Sequence, residues 1–350
     1  MAEVDEAGAV AGVNVAPVTA WMERNIAGVE PPLEFRLVAG GRSNLTYEVA
    51  DAAGRRYVLR RPPLGHVLAT AHDVGREYRI IDALGPTDVP VPPALGWCRD
   101  EDVTGAPFYV MGFVEGVVPR DLNVAAECWD EPARRRAALS LIDVMARLHA
   151  VDPDAVGLGD LGRRDGYIQR QLKRWHGQFE QSKSRDIPDV DEVHDRLAAT
   201  VPEQGPAAIV HGDYRIDNCV CHHDGPVAAV LDWELCTLGD PLADVGMLMI
   251  CWTEPGDREP ARPDSPTQLP GFPGRQEVLE RYAAASGRDV SNIAYYRAFA
   301  HWKLACIGEG VYARYRAGVM GEQAGIDLDL MAQGVVRRAA AARRALEEAG

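Results

Sequence analysis

The sharpest chemical signal in this 350-residue chain is the run Ile209-Val-His211-Gly-Asp213-Tyr-Arg215-Ile-Asp217-Asn218. An apolar strand end feeds His-Gly-Asp, and Asn218 stands five residues after Asp213. Fourteen residues beyond Asn218, after a second short apolar strand, comes Asp232 in Val230-Leu-Asp232-Trp-Glu234. Phosphoryl transfer needs a carboxylate that orients or deprotonates the attacking hydroxyl. It also needs oxygen ligands that hold Mg²⁺ against nucleotide phosphates. Asp213 suits the first role. Asn218 and Asp232, one neutral and one anionic, suit the second. The competing reading is a polar turn between core strands, which each residue taken singly would favour. The joint pattern on a strand–loop–strand background favours phosphoryl transfer.

Such residues need a scaffold, and the chain changes character along its length. Phe35 to Val49 reads as strand, glycine turn, strand. Asp51 to Gly54 is a turn, Arg56 to Arg60 a third strand, and Pro62-Pro63 its end. Residues 72–84 carry apolar positions at helical spacing, and 89–93 form an extended connector. Residues 106–114 form an apolar strand stopped by Glu115-Gly116. Pro132 to Ala150 is helical, two short strands lie at 207–210 and 227–231, and the remainder is mostly helix. Residues 253–273 read as a surface loop. These readings predict an α+β protein. A flexible tail covers 1–18, with a short helix opening at Thr19. A strand-rich unit covers 19–115 and a helix-rich unit 116–350.

Composition narrows the classes. Lys and Arg total 37 against 52 Asp and Glu, a formal charge of −15, which argues against nucleic acid as a partner. An acidic chain suits cationic or metal-chelated ligands. No run of 18 apolar residues occurs, so no membrane partner is expected. The acidic N-terminus lacks the basic start of a signal peptide, which makes the cytoplasm the default location. Seven scattered Cys in such a chain read as reduced thiols. Oligomeric state is not legible.

The Asp-x₄-Asn…Asp spacing is that of a kinase catalytic loop with its metal-binding Asp. The chain resembles the aminoglycoside phosphotransferase-like (choline kinase-like) small-molecule kinases. Within them it is most similar to the kinase-domain branch of acyl-CoA dehydrogenase family members 10 and 11. The marks are Gly40-Gly-Arg-Ser-Asn-Leu-Thr46, Tyr57-Val-Leu-Arg-Arg-Pro-Pro63, Arg76-Glu-Tyr78, Phe108 to Gly116, Arg147-Leu-His149, His211-Gly-Asp213, Leu231 to Glu234 and Gly239 to Gly246. The resemblance implies a protein-kinase-like bilobal fold, with a small antiparallel-sheet lobe and a larger helical lobe. The implied reaction is ATP- and Mg²⁺-dependent transfer to a hydroxyl of a small molecule: aminoglycoside-like, an amino alcohol or a hydroxyacyl compound. Asp213 becomes the catalytic carboxylate, His211 and Arg215 shape its loop, and Asp244 braces it. Asn218 and Asp232 become the metal ligands. Gly40, Gly41, Ser43 and Asn44 form the turn over the phosphates, where glycines let N–H groups approach oxygen. Met111, Gly112, Phe113 and Val114 belong to the hinge strand against adenine.

One departure is Arg60, which stands where kinases carry a strand Lys. Alternation puts Val58 and Arg60 on one face, an Arg can bind phosphate bidentately, and Glu77 is its natural helical partner. The bland reading of Arg60 and Arg61 is a solvated strand end. The missing Lys also motivates an alternative function, a nucleotide-binding pseudokinase or scaffold without turnover. Other motifs weigh less. Gly157-Leu-Gly-Asp-Leu-Gly162 matches a dinucleotide fingerprint but lacks the strand before and helix after. Cys219-Val-Cys-His-His223 could bind zinc, yet it lacks the two separated ligand pairs of a structural site. The aromatic run Tyr295 to Trp302, which includes His301, reads first as core and second as a wall of the acceptor site.

Overall fold

The computed structural model describes residues 10–39, 44–64, 73–318 and 327–349. The chain divides into two compact units. The first runs to Gly116 and includes Ala228–Glu234; the second holds Val117–Val227 and Leu235 onward.

The first unit contains α1 (Val15–Asn25), β1 (Glu34–Ala39), β2 (Leu45–Ala50), β3 (Arg56–Arg61), α2 (Val74–Leu84), β4 (Ala94–Cys98) and β5 (Phe108–Gly112). Its sheet is antiparallel in the order β1-β2-β3-β5-β4. Leu45, Tyr47 and Val49 alternate with half-buried residues along β2 and, with Tyr57 and Leu59 of β3, cover Val18 and Met22 of α1. Period-two burial of this kind fixes the register, because a one-residue slip would turn the apolar set outward. Helix α2 buries Val74, Glu77, Ile80, Ile81 and Leu84 in one stripe, and its Asp73 cap accepts from the Arg76 N–H at 3.0 Å.

Two expectations are corrected here. Residues 1–9 lie outside the described residues, but 10–18 are not a loose tail: α1 starts at Val15, and Val13 and Val18 are buried. Pro17 stands in the first turn, where its missing N–H costs nothing. Strand β4 was not anticipated, because its ladder is irregular between Ala94 and Gly96. A glycine beside a bulge hides the alternation by which a strand is recognised.

The second unit contains α3 (Leu122–Cys128), α4 (Glu131–Ala150), α5 (Tyr167–Ser182), α6 (Pro188–Ala199), β6 (Ala208–Val210) and β7 (Cys219–Cys221). After it β8 (Val227–Val230) crosses into the first unit, and β9 (Thr237–Gly239), α7 (Leu242–Cys251), α8 (Arg275–Ser286), α9 (Ile293–Arg316) and α10 (Leu328–Ala349) follow. Helix α9 is the axis of the core: Tyr295, Tyr296, Phe299 and Trp302 pack with α5, α6 and α10. The aromatic run is therefore core, with the Trp302 indole donating to the Val190 carbonyl and the Tyr295 hydroxyl to that of Leu197. Strand β6 pairs antiparallel with β9, Val210 opposite Thr237, so the loop after β6 leaves beside the start of β9. The 253–273 segment is more than a surface loop, since Thr253, Ser265 and Thr267 are buried and bonded to one another. Among the described residues no helix is long and apolar enough to cross a membrane.

Helices α7 and α9 touch at Gly246, where an added Cβ would stand 2.5 Å from the Tyr296 carbonyl oxygen. A backbone obstacle cannot rotate away. Gly246→Ala is expected to destabilise the protein by about 1–3 kcal/mol or more, the usual overpacking cost, read as a lower urea midpoint at unchanged m-value.

Candidate active site

In the second unit, β6 delivers His211, Gly212 and Asp213 as it ends. Gly212 has φ +85°, and a Cβ there would meet the Leu235 carbonyl oxygen at 2.7 Å, so the turn requires glycine. The turn is fixed from α7. Asp244 is buried and accepts the His211 N–H at 2.6 Å and the Gly212 N–H at 2.8 Å, with His149 Nε2 at 3.3 Å. Burial alone would raise its pKa. The His149 ring and the two N–H donors outweigh burial and hold it below the usual carboxylate value. His211 is buried, and its Nδ1 accepts the Asp213 N–H at 3.3 Å. The Tyr214 hydroxyl donates to the Leu141 carbonyl at 2.8 Å, tying the loop to α4.

Asp213 is thus placed by backbone, and its carboxylate is placed by side chains. Its Oδ2 accepts from Arg215 at 3.0 Å and from Asn218 Nδ2 at 3.1 Å. Asn218 also donates to the Asp213 carbonyl at 2.9 Å. Asp213 Oδ1 and the Asn218 amide oxygen keep no donor among the described residues. Arg215 is further held by Asp217 at 3.2 Å, and Asp217 by Arg262 of the 253–273 segment at 2.5 Å.

The first unit carries its own polar cluster. Glu77 interrupts the apolar stripe of α2, and a buried carboxylate must find partners. Arg60 meets it at 2.9 Å, the Tyr109 hydroxyl donates at 3.0 Å, and the Asn44 amide bonds its other oxygen. Burial nevertheless raises the Glu77 pKa, with Arg60 opposing. Arg60 faces Tyr109 across the β3–β5 ladder and reaches Asp232 Oδ1 at 3.4 Å. Burial tends to lower the Arg60 pKa, but Tyr109, Glu77, Asp232 and Glu234 raise it overall. Its Nε and the Asn44 Oδ1 are buried and unpartnered among the described residues. Neither Arg60 nor Arg61 is a solvated strand end: both are buried, and Arg61 turns to the opposite face to donate to the Thr104 carbonyl at 2.9 Å. Asp232 is the one non-glycine among the described residues with positive φ, 65°. Such strain clusters at functional positions, and here the Val230 N–H is anchored on the Pro90 carbonyl at 2.8 Å just before it.

Gly40, Gly41 and Ser43 lie outside the described residues. Met111 pairs with Val58 in the ladder, the Gly112 N–H goes to the Pro93 carbonyl, and the Phe113 N–H goes to the Arg56 carbonyl. Val114 is past the strand with its N–H unused among the described residues. A carboxylate a third exposed on Asp232 and an unused amide oxygen on Asn218 are hard oxygen donors, the kind Mg²⁺ accepts. The Cys219 and Cys221 thiols are buried, and burial raises the first and pushes the second up to about 12, which suits neutral core thiols rather than zinc ligands.

Three residues escaped the sequence reading. His149 lies within a quoted motif, but nothing local shows that it backs Asp244. Tyr109 looked like an ordinary apolar strand residue. Lys303, buried in α9, donates to the Gly212 carbonyl at 3.1 Å; burial lowers its pKa, with Asp213 and Asp244 opposing. A lone lysine in an aromatic helix face was the available signal for it.

The depressed Asp244 pKa has a pH consequence. Its contribution to stability is complete above the unfolded carboxyl value, about 3.9, and disappears as pH falls through the lower folded value. Asp244→Asn should be less stable at pH 7 and show a shallower loss of unfolding free energy below about pH 4 than the wild type. Parallel acid limbs in urea titrations of the two proteins would contradict this.

Residues 34–296 match the family model described as the phosphotransferase enzyme family. Acyl-CoA dehydrogenase family member 10 of Mus musculus is 36% identical over 293 residues, covering 82% of this chain but 27% of that protein. The chain spans between 27% and 39% of the length of such curated relatives. A candidate aminoglycoside phosphotransferase from Ralstonia eutropha JMP134 superposes with a TM-score of 0.77 at 32% identity, over 94% of this chain and 98% of that one. Amicoumacin kinase hAmiN, in a structure with AMP-PNP and Ca²⁺, shares the fold at 16% identity and a TM-score of 0.60, over 94% and 93% of the two chains. With a five-stranded antiparallel sheet, a largely helical remainder and a His-Gly-Asp loop braced by a buried carboxylate, this chain belongs to the phosphotransferase enzyme family and has its kinase-like fold.

Proposed function

We propose that the protein is a small-molecule O-kinase that moves the γ-phosphate of ATP to an acceptor hydroxyl. The observation that carries this reading is the Asp213 carboxylate. One oxygen is held by Arg215 and Asn218 while the other is left open, on a loop whose N–H groups are locked to Asp244. A carboxylate so restrained can orient a hydroxyl and take its proton without reorganising. Asn218 and Asp232 would each offer an oxygen ligand to Mg²⁺, whose chemistry there would be neutralisation of phosphate charge. Support for that pairing is the donor chemistry and the Asp-x₄-Asn spacing. Arg60, kept in place by Glu77, takes the phosphate-binding role of the usual Lys, and its unpartnered Nε is a spare donor for an anion. Asn44 belongs to the phosphate-binding stretch that the family pattern assigns. The Val114 N–H serves adenine two residues past the strand that carries Met111 and Gly112, with Phe113 between. The neighbour with AMP-PNP and Ca²⁺ supports a nucleotide and a divalent ion in this fold. A cytoplasmic enzyme acting on an aminoglycoside-like, amino-alcohol or hydroxyacyl substrate is consistent with this chemistry.

The test is ADP release with Mg²⁺-ATP across those acceptors, with nucleotide affinity measured separately. Asp213→Asn should lower kcat by about 10²–10⁴ while binding ATP as the wild type does. Arg60→Ala should weaken ATP at least tenfold. Nucleotide bound without acceptor-dependent turnover would favour the pseudokinase, and no nucleotide binding at all would end the kinase reading.

A further inference from the structure

In the second unit, helices α5 and α6 share an apolar seam. Leu172, Trp175 and Phe179 of α5 cluster with Val190, Val193 and Leu197 of α6 and with the core face of α9. One residue further round each helix, about 100° away, is the rim of that seam. It carries His176 and Glu180, one turn apart on α5, and Asp191 and His194, one turn apart on α6. One ring nitrogen of His176, one carboxylate oxygen of Glu180 and one of Asp191 all lie within 4.8 Å of one another. Two carboxylates brought that close repel each other, and their partners answer the repulsion incompletely. Asp191 is bonded to His176 Nε2 at 2.9 Å, and an imidazole cancels its charge only while doubly protonated. Glu180 has Lys183 at 2.5 Å, but both side chains stand well out in water, where such a pair is weak. The other acids of the same helix turn face arginines: Asp189 meets Arg343 at 3.8 Å and Glu192 meets Arg196 at 3.6 Å.

We propose that His176, Glu180 and Asp191 bind one divalent transition-metal ion of the zinc type, which clamps α5 to α6. One imidazole nitrogen and two carboxylate oxygens are donors that zinc accepts, and water can complete a four-coordinate shell. The nitrogen selects against Mg²⁺, which takes oxygen ligands in a strict octahedron. Facing helices that each present a histidine and a carboxylate one turn apart build metal sites of this kind in helix bundles. Donors about 2 Å from zinc stand roughly 3.3 Å apart, so the triad must contract. His176 and Asp191 are already at 2.9 Å, and Glu180, exposed and paired only with Lys183 among the described residues, supplies the movement. His194 fixes the plane of the His176 ring, stacked on it with centroids 4.0 Å apart and planes 12° apart. It is itself bonded to Asp195 at 3.1 Å and packs on Trp302. The surrounding field favours a cation, since α6 carries four acids and one arginine in a protein of net charge −15. None of these residues belongs to the phosphoryl-transfer site, so the metal site stands or falls apart from the kinase reading.

The whole chain, stripped with a chelator and dialysed, is titrated with Zn²⁺, Co²⁺ and Mg²⁺ in the absence of nucleotide. Calorimetry reads stoichiometry and affinity, the visible absorption of Co²⁺ reads the ligand shell, and thermal unfolding reads the clamp. One equivalent of zinc should bind and raise the melting temperature by about 2 °C or more at roughly a hundredfold excess over Kd, while Mg²⁺ does neither. Co²⁺ should show the absorption of a four- or five-coordinate ion. His176→Gln and Glu180→Gln should each lose at least tenfold in zinc affinity and most of the thermal gain. Glu180 is exposed, so Glu180→Gln tests the site without disturbing the core. Lys183→Gln, which frees the Glu180 carboxylate, should tighten zinc binding by about two- to fivefold, the worth of an exposed ion pair. No bound zinc, zinc affinity unchanged in His176→Gln or Glu180→Gln, no thermal gain, equal binding of Mg²⁺, or no tighter binding in Lys183→Gln would each overturn the proposal.

Discussion

A carboxylate can leave water completely only if donors converge on it, and Asp244 meets that condition with two backbone N–H groups and an imidazole. The consequence runs both ways. Asp244 stays ionised in the core because the turn at His211 and Gly212 presents its amides. The turn in turn holds its left-handed glycine because those amides have one place to go. Lys303 closes the same turn from its carbonyl side. Asp213 therefore hangs from a backbone pinned at three points. Its side chain then needs only Arg215 and Asn218 to fix one oxygen.

The first unit solves a similar problem differently. Glu77 sits where the stripe of α2 calls for an apolar residue, and a strand arginine, a strand tyrosine and Asn44 satisfy it. The result resembles the lysine–glutamate pair of kinases in charge but not in shape. A guanidinium reaches farther and offers five donors, so Arg60 can meet Glu77 and Asp232 and still leave Nε unused. Asp232 itself accepts a positive φ that its neighbours must impose. Each polar group withdrawn from water here points at another that would be unstable without it, which makes such clusters informative.

A different pattern marks the C-terminal helices, where Arg297 of α9 pairs with Glu348 of α10 and Arg344 of α10 pairs with Glu259.

Much of this was readable from the linear order of residues. Period-two alternation announced β2 and β3, apolar spacing announced α2 and α4, and His-Gly-Asp with Asn218 and Asp232 announced phosphoryl chemistry. These signals survive because they are local: strand and helix periods and a five-residue loop are written in neighbouring positions. The start of α1 at Val15 and the bulged β4 were not legible, since packing of Val18 and Met22 under β2 and β3 decides the first and an irregular ladder at Gly96 hides the second. Nor were the roles of His149, Tyr109 and Lys303, which approach their partners from 91 or 95 residues away in two cases and 32 in the third. Which arginine finds a carboxylate and which is left without one is likewise decided only when the helices pack, because pairing depends on distance through space and on the removal of water.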